Sequence, residues 1–424
     1  MSENFLHYLW KFKKFETGHL TTSNKRTIEV LKVGQHNHNS GPDFFNAKIR
    51  IDDQLWVGNV EIHVKSSDWL LHQHDKDQAY DSVILHVVWK HDTEIRRTNN
   101  SIIPTLSLGE FASKTAIKNY KQLFYKKKNW INCEKQFKHI DIFLLQRWLE
   151  RLYFERFERK ALEMERILEK SKHNWEEVFF RVIFKNFGLK LNADAFDTIA
   201  RSIPFTVLRK CQSNQFSLEA IFMGQAGFLE DHKKDGYYTD LKKEYQFLSK
   251  KFNLKNDHVI RPHMFRLRPS NFPTIRLSQL AQLYSSEPNL FSRVISMHEM
   301  TDFYALFSVN TSPYWESHFT FNKKSNHSIK QLTHAFINLI VINSIIPIRF
   351  LYAKYQSKFD KHDLINIINA LPKEKNTIVE GFENLRRMDL SALESQALIQ
   401  LKANYCDNNK CLDCEIGQQL ISSK

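Results

Sequence analysis

The stretch GPDFFNAKIRIDDQLWVGNVEIHVK, residues 41–65, decides the fold of the N-terminal part of this chain. Two runs rich in strand-forming residues, FFNAKIRI and LWVGNVEIHVK, flank the polar segment DDQ, which is the pattern of a β-hairpin. Side chains alternate along a strand, so Glu61, His63 and Lys65 share one face and the apolar residues between them share the other. The second strand therefore packs on one face and carries an acid, an imidazole and an ammonium on the other.

Patterns on both sides of this hairpin extend the prediction. Residues 4–15 carry apolar side chains at helical spacing, and residues 27–33 (TIEVLKV) are typical of a strand. Residues 82–89 (SVILHVVW) are almost continuously apolar, as in a central strand covered on both faces. From about residue 114 onward, apolar residues recur every three to four positions between charged ones, which indicates helices. The sequence therefore predicts an α+β fold, with a small mixed sheet at the N-terminus followed by a large all-helical region.

Length and composition favour a globular protein of more than one domain. A chain of 424 residues is too long for one ordinary core, and its 42% of hydrophobic residues are enough to bury several. The patterns divide it into an α/β domain over residues 1–113, a helical domain over residues 114–262, and a helical domain over residues 263–424 that ends in a cysteine cluster. A loop with three prolines, RPHMFRLRPSNFPTIR, marks the second boundary.

The formal net charge of +14 favours a polyanionic partner, and DNA or RNA is the expected one, because phosphate binding by a basic protein releases condensed counterions. A lysine-rich proteome gives the same balance without any nucleic acid. The first residues lack the apolar core and small-residue cleavage site of a signal peptide. The longest apolar stretch, residues 335–348, is too short to cross a bilayer and predicts a buried helix that ends near Pro347. We therefore expect a cytoplasmic protein without a membrane segment, and the sequence does not indicate its oligomeric state.

The hairpin offers a site for a divalent cation. It brings Asp43, at the start of the first strand, towards Glu61 on the second, and two neighbouring carboxylates repel each other unless a cation lies between them. We therefore predict that Asp43, Glu61 and His63 bind Mg²⁺ or Mn²⁺. Such an ion polarises a phosphoryl oxygen and activates water, with His63 or Lys65 assisting, so all four residues are predicted to be catalytic.

This pattern resembles the restriction-endonuclease-like superfamily, whose motif is Pro-Asp, a variable gap, an acidic residue, any residue, and Lys. Pro42, Asp43 and Glu61 match the motif, whereas His63 occupies the lysine position and Lys65 is the nearest lysine. The resemblance implies a metal-dependent nuclease acting on DNA or RNA and an N-terminal domain of that superfamily's fold.

Other interpretations of the same residues remain open. The polar face of the hairpin is also compatible with simple solvation, with Pro42 and Asp43 forming a turn. The protein would then be a non-catalytic scaffold that binds nucleic acid or protein. A third hypothesis is a metallohydrolase of a small substrate, in which the cluster around His72 and His74 in SDWLLHQHDKDQAYD binds Zn²⁺ or Mn²⁺.

Cysteines suggest a second cofactor site. Cys406, Cys411 and Cys414 lie within nine residues and need a fourth ligand, for which Cys133 is the candidate. The four are predicted to bind Zn²⁺ or an iron–sulfur cluster, and the alternative is four reduced, unliganded thiols. The arrangement resembles the cluster-stapled nucleases related to helicase–nuclease subunits, in which one distant cysteine joins a triplet.

The order of motifs along the whole chain also resembles one family. GPDFFNAKIRI, GNVEIHVKSSDW, LHVV, FMGQAG, FRLRPSNFPTIRLSQLA and the terminal cysteine triplet occur together as in uncharacterised bacterial proteins common in Bacteroidetes. That resemblance implies a cytoplasmic bacterial protein and no particular activity.

Overall fold

The computed structural model describes residues 1–124, 129–357 and 366–423, which form two compact units. The first unit comprises Met1–Leu149, Glu380–Arg387 and Leu398–Lys424, and the second comprises Glu150–Val379 and Met388–Ala397. The C-terminal residues thus belong to the same unit as the N-terminal ones. The domain boundaries expected after residues 113 and 262 stay a prediction.

The first unit contains a mixed sheet of seven strands among the described residues. The strands are β1 (Leu20–Thr21), β2 (Thr27–Lys32), β3 (Gln35–His36), β4 (Phe44–Ile51), β5 (Gln54–Lys65), β6 (Val83–Lys90) and β7 (Thr105–Ser107). Their order is β1-β2-β4-β5-β6-β7, with β3 paired to β4. The pairs β5–β6 and β6–β7 are parallel and the others are antiparallel. A small mixed sheet in an α+β fold is therefore confirmed.

The predicted hairpin and central strand are both present. β4 and β5 pair from Ile51 opposite Gln54 to Phe44 opposite Val60, and the reversal at Asp52 uses the left-handed backbone region with φ 52°. The Asp52 carboxylate accepts a hydrogen bond from the backbone N–H of Thr27, which ties the turn to β2. Residues Val83 to Val88 of β6 are all buried, as the continuous apolar run predicts.

Helices make up most of the remaining described chain. They are α1 (Glu3–Lys11), α2 (Asp68–Leu71), α3 (Leu108–Phe111), α4 (Lys114–Phe124), α5 (Glu134–Phe137), α6 (Ile142–Lys170), α7 (Trp175–Phe187), α8 (Leu189–Ser202), α9 (Phe205–Cys211), α10 (Gln215–Gln225), α11 (Gly236–Phe252), α12 (Pro273–Ser286), α13 (Leu290–Ile295), α14 (Met300–Leu306), α15 (His334–Ile340), α16 (Ile346–Tyr355), α17 (Thr377–Leu385), α18 (Ala392–Gln400) and α19 (Glu415–Ser422). Two short strands, β8 (His318–Thr320) and β9 (Lys323–Lys324), pair within the second unit, so the region predicted to be all-helical is mainly helical.

Two layers cover the sheet of the first unit. The Ser2 hydroxyl caps α1 by accepting a hydrogen bond from the Phe5 N–H, and the buried face of α1, with Phe5, Leu9 and Trp10, joins the core formed by the sheet. A smaller layer, the crossover from β5 to β6, contains α2, and its fully buried Trp69 anchors a separate cluster with Val83 and Ile95. This crossover places the polar residues discussed below.

The long apolar helix of the second unit does not end at Pro347, which corrects the prediction. His334–Tyr355 is continuous, and a π-helical turn over Val341–Ile345 precedes the proline. Proline lacks the N–H for an i→i−4 bond and its ring crowds the preceding turn, and a widened turn accommodates both effects. By length and hydropathy this helix alone among the described residues is comparable to a membrane span, and 72% of its apolar window is buried inside the protein.

A buried carboxylate organises part of the second unit. Glu219 has 0% exposure and accepts hydrogen bonds from Trp315 Nε1 at 2.6 Å, the Tyr237 hydroxyl at 2.9 Å and the Ser278 hydroxyl at 2.8 Å. Burial raises the pKa of Glu219 above its ordinary value, although these hydrogen bonds act in the opposite direction. The folded unit therefore holds this proton to a higher pH than the unfolded chain does.

The raised pKa of Glu219 predicts how the stability of the protein depends on pH. Because the folded pKa is raised, the contribution of Glu219 is present at low pH and is lost as the pH rises from about 4.5 through the folded pKa. Relative to Glu219→Gln, which keeps the packing and does not titrate, the wild type should lose up to about 1.4 kcal/mol of unfolding free energy per pH unit over that window. Urea unfolding at a series of pH values checks this, and parallel pH profiles for the two proteins would contradict it.

Candidate metal centre

Asp43 and Glu61 lie opposite each other at the start of the hairpin. Phe44 pairs with Val60, so the next position places Asp43 across from Glu61. The Asp43 N–H donates to Glu61 Oε2 at 3.1 Å, and the Ile62 N–H donates to Asp43 Oδ2 at 3.0 Å. Each carboxylate is thus held by the backbone beside the other, at the junction that the sequence pattern predicts.

The first helix contributes a partner to this pair. His7 on α1 lies with Nε2 3.1 Å from Asp43 Oδ2. Burial acts to lower the pKa of His7, but the hydrogen bond and charge of Asp43 outweigh it, with help from Glu3, so the pKa is raised. The spacing of Glu3 and His7, one helical turn apart, is the sequence signal that would have pointed to His7.

The structure brings together two groups of residues that the sequence presents as alternatives. One nitrogen each of His63, His72 and His74 lies within 4.8 Å of the other two. Glu61 Oε1 lies 3.6 Å from His63 Nε2 and 3.4 Å from His74 Nε2. His63, on the face predicted from strand alternation, therefore belongs both to the carboxylate site and to the histidine cluster, and the two form a single centre.

A further histidine, His86, forms a hydrogen bond with the His63 ring. His86 on β6 pairs in register with Glu61, and His63 Nδ1 lies 2.8 Å from His86 Nε2. Burial and the charges of His72 and His74 lower the pKa of His63 to about 4, and burial places the pKa of His86 well below its ordinary value. Both rings are therefore neutral near pH 7, and His86 can accept the Nδ1–H of His63 while Nε2 faces the centre, as in many metal sites.

Local hydrogen bonds shape the crossover that carries His72 and His74. Asp92 accepts bonds from the Ser66 hydroxyl and from the N–H and hydroxyl of Ser67, all at 2.9 Å, which fixes the chain where β5 ends. Beyond α2, the His74 ring is buried and stacks on Tyr80 with ring centroids 3.7 Å apart. His72 is exposed, so the centre opens to solvent on its side.

Lys65 does not join the centre. Its side chain is exposed on the strand face that also carries Glu61 and His63, and it lies within electrostatic reach of Asp92. Within residues 1–124, 129–357 and 366–423, no hydrogen bond or ion pair links its ammonium to Asp43 or Glu61. The centre itself is thus built from carboxylates and imidazoles.

The donor set indicates which cations suit the centre. Mg²⁺ prefers an octahedral shell of oxygen ligands, whereas imidazole nitrogens suit Zn²⁺, Mn²⁺ and other transition metals. Three imidazoles and an adjacent carboxylate match the second group, with the exposed side left for water or a substrate. Such an arrangement is able to activate water and to polarise an oxygen of a substrate.

The four cysteines of the predicted cofactor site also lie in the first unit. Cys133, Cys406, Cys411 and Cys414 line one cavity, and all four are free thiols. The fifth, Cys211, is buried in the second unit.

Together, the fold and the site define an α+β protein with a carboxylate–histidine centre on a mixed sheet. The chain belongs to the family described as protein of unknown function (DUF2851), whose model matches residues 3–377. Membership of an uncharacterised family is thereby confirmed. The matched residues include the centre and Cys133 but not the other three cysteines of the cavity. No curated protein and no solved structure matches the chain.

Proposed function

We propose that this protein is a metal-dependent phosphodiesterase that cleaves DNA or RNA. The observation that carries the proposal is the group of three imidazole nitrogens within 4.8 Å of one another, beside the buried carboxylate of Glu61 and its partner Asp43. Mn²⁺ is the favoured cation, since it accepts both imidazole and carboxylate ligands and serves in phosphoryl chemistry.

The roles of the side chains follow from their positions. His63, His72 and His74 would ligate the cation, with Glu61 as a fourth ligand or as an acceptor for the proton of bound water. The cation would lower the pKa of that water and polarise a phosphoryl oxygen, so that hydroxide adds to phosphorus as the P–O bond of the leaving group breaks. His7, whose pKa is raised beside Asp43, would give its proton to the departing oxygen.

The restriction-endonuclease-like assignment is part of this proposal. It is supported by a helix, α1, followed by the hairpin β4–β5 and by β6 in parallel beside β5, with the acids at the predicted strand positions. Departures are His63 in the lysine position and the exposed Lys65. We interpret His63 as a metal ligand that has replaced the superfamily's lysine, which makes the centre richer in nitrogen.

A nucleic-acid substrate is favoured by charge. The net charge of +14 attracts a polyanion, and Lys65 pairs in register with Lys90 at the end of β5 and β6, on the strand face that carries the centre. Both lysines are exposed and free to contact phosphates flanking a bound scissile bond. A cytoplasmic location belongs to the same proposal.

The decisive experiment measures hydrolysis by the full chain loaded with Mn²⁺, Zn²⁺ or Mg²⁺. Substrates are single-stranded DNA, double-stranded DNA, RNA and a small aryl phosphodiester, with His19→Ala as a control because His19 is exposed elsewhere in the same unit. We expect cleavage of a nucleic acid that is fastest with Mn²⁺ and lost in Glu61→Gln.

Other outcomes would overturn the proposal in different ways. Hydrolysis of the small ester alone would indicate a metallohydrolase of small substrates, as the His72 and His74 cluster allows. Salt-sensitive binding of nucleic acid without cleavage, unchanged in Asp43→Ala and Glu61→Ala, would indicate a non-catalytic scaffold.

A further inference from the structure

Four cysteines from two remote parts of the sequence meet at one cavity of the first unit. Cys133 directly precedes α5, Cys406 ends the π-helical turn over Leu401–Cys406, and Cys414 is the residue before α19. Cys411 lies between the last two, and all four line the same cavity. Cys133 and the triplet are thus side by side in space although the segment from α5 to α18 separates them in the chain.

The segments that carry these cysteines are held in place independently of any cofactor. α19 packs against α4, and Asn119 on α4 donates to the carbonyl oxygen of Ser423 at 2.8 Å. The Tyr8 hydroxyl lies 3.0 Å from that of Ser422, which also attaches the C-terminus to α1. The Arg147 guanidinium binds Glu415 at 2.9 Å. The cavity is therefore a built feature of the unit.

The cavity combines an apolar lining with amide donors that point at the sulfurs. Its exposed lining is apolar, with Leu123, Ile131 and Ile416 among the residues that surround the sulfurs. Asn132 Nδ2 donates to Cys411 Sγ at 3.3 Å, and the backbone N–H groups of Ile416 and Gly417 donate to the Cys414 sulfur. Amide donors aimed at sulfur stabilise the negative charge that a thiolate keeps when it binds a metal.

Cationic side chains complement that charge. Lys410 lines the cavity, and the Lys402 ammonium lies close enough to Cys406 to favour its thiolate. Coordination to a metal removes the protons of the thiols, so these cations would then face bound thiolates.

The grouping of the sulfurs favours one of the two candidate cofactors. Around one tetrahedral zinc ion with Zn–S bonds of about 2.3 Å, sulfurs lie about 3.8 Å apart. Among the described residues, the ligand atoms of His63, His72 and His74 lie within 4.8 Å of one another. No three of these four sulfurs, all in the described part of the chain, form such a group. Four sulfurs that line one cavity without forming such a close group match a cluster of several irons and sulfides better than a single ion.

We propose that Cys133, Cys406, Cys411 and Cys414 ligate an iron–sulfur cluster that fastens α19 to the rest of the first unit. Each thiol loses its proton as its sulfur bonds to iron, and the four protons pass to solvent. The site is separate from the carboxylate–histidine centre and does not depend on the function proposed for that centre.

Anaerobic purification of the full chain tests this directly. We expect iron and acid-labile sulfide in equal, stoichiometric amounts, a visible charge-transfer absorption, and a Mössbauer spectrum of thiolate-ligated iron from protein grown on ⁵⁷Fe. Cys411→Ser and Cys133→Ser should lose most of the iron. Cys211→Ser is the matched control and should keep all of it, because Cys211 lies in the second unit.

Measurements on the wild type keep the test independent of variant folding. Stoichiometric zinc in place of iron, or neither metal in protein that has been kept free of oxygen, would overturn the proposal. Iron without acid-labile sulfide would also overturn it. If Cys411→Ser is unfolded by circular dichroism, the spectroscopy of the wild type still decides the question.

Discussion

Replacing His74 with alanine is expected to lower the affinity of the centre for Mn²⁺ by about 100-fold or more, and the proposed phosphodiesterase activity by about 10³-fold. His74 is buried, stacks on Tyr80, and holds Nε2 3.4 Å from Glu61 Oε1. Its removal takes away one proposed ligand and also one of the groups that stabilise the Glu61 carboxylate. Isothermal titration with Mn²⁺ and initial rates at saturating metal separate the loss of binding from the loss of turnover.

Two further variants test whether the effect is specific to His74. His86→Ala removes a residue that touches His63 and not the cation, so metal affinity should fall by a smaller factor, of about 10-fold to 100-fold. His19→Ala should leave both affinity and rate unchanged, since His19 is exposed away from the centre. Equal metal affinity in wild type and His74→Ala would contradict the ligand assignment.

The sequence predicted the residues that the hairpin brings to the centre, but it did not predict that the crossover would add its histidines to them. Strand alternation places Glu61 and His63 on one face, and a hairpin turn at Asp52 sets the register that puts Asp43 opposite Glu61. His72 lies nine residues beyond His63 in an irregular crossover, and its position depends on how tightly that crossover packs. Sequence spacing carries no information on that packing, so the two constellations looked like alternatives.

Lys65 shows what strand alternation cannot predict. Alternation assigns it correctly to the face of Glu61 and His63, but β5 ends there and the side chain lies in solvent. A shared face is therefore not a shared site, because two strand steps carry a side chain about 7 Å along the sheet. The catalytic role first predicted for Lys65 is thereby reduced, in the proposed function, to contact with flanking phosphates.

The parts of the fold that the sequence did not predict depend on packing between elements that are far apart in the chain. Alternating and continuous apolar runs predict β4, β5 and β6, because each pattern reflects burial within one strand. No local pattern indicates that α19 packs on α4, since its apolar face is equally compatible with other neighbours. The cysteine triplet was the one signal, because three thiols are too few for a four-ligand site and a site of that kind would need a distant residue.

Replacing Gly417 with alanine will loosen α19 and displace the cysteine triplet. A Cβ at this position lies 2.0 Å from the carbonyl oxygen of Cys411 and 2.8 Å from its carbonyl carbon, so backbone must move. Alanine would otherwise stabilise a helix by about 1 kcal/mol relative to glycine, and a loss of stability therefore isolates the steric effect. We expect the opening free energy of α19 to fall by about 3 kcal/mol, which is about 100-fold faster hydrogen exchange over Glu415–Ser422.

Gly18→Ala is the matched control for that measurement. Gly18 lies in the same unit, and a Cβ built on it meets nothing within 4 Å, so exchange should change by less than about 0.5 kcal/mol. Iron content measured on the same samples tests whether the triplet has moved, because displacement of Cys411 and Cys414 should release the proposed cluster. Wild-type exchange in Gly417→Ala would show that α19 accepts a side chain here, and would contradict the close approach of helix and cysteine loop on which this prediction rests.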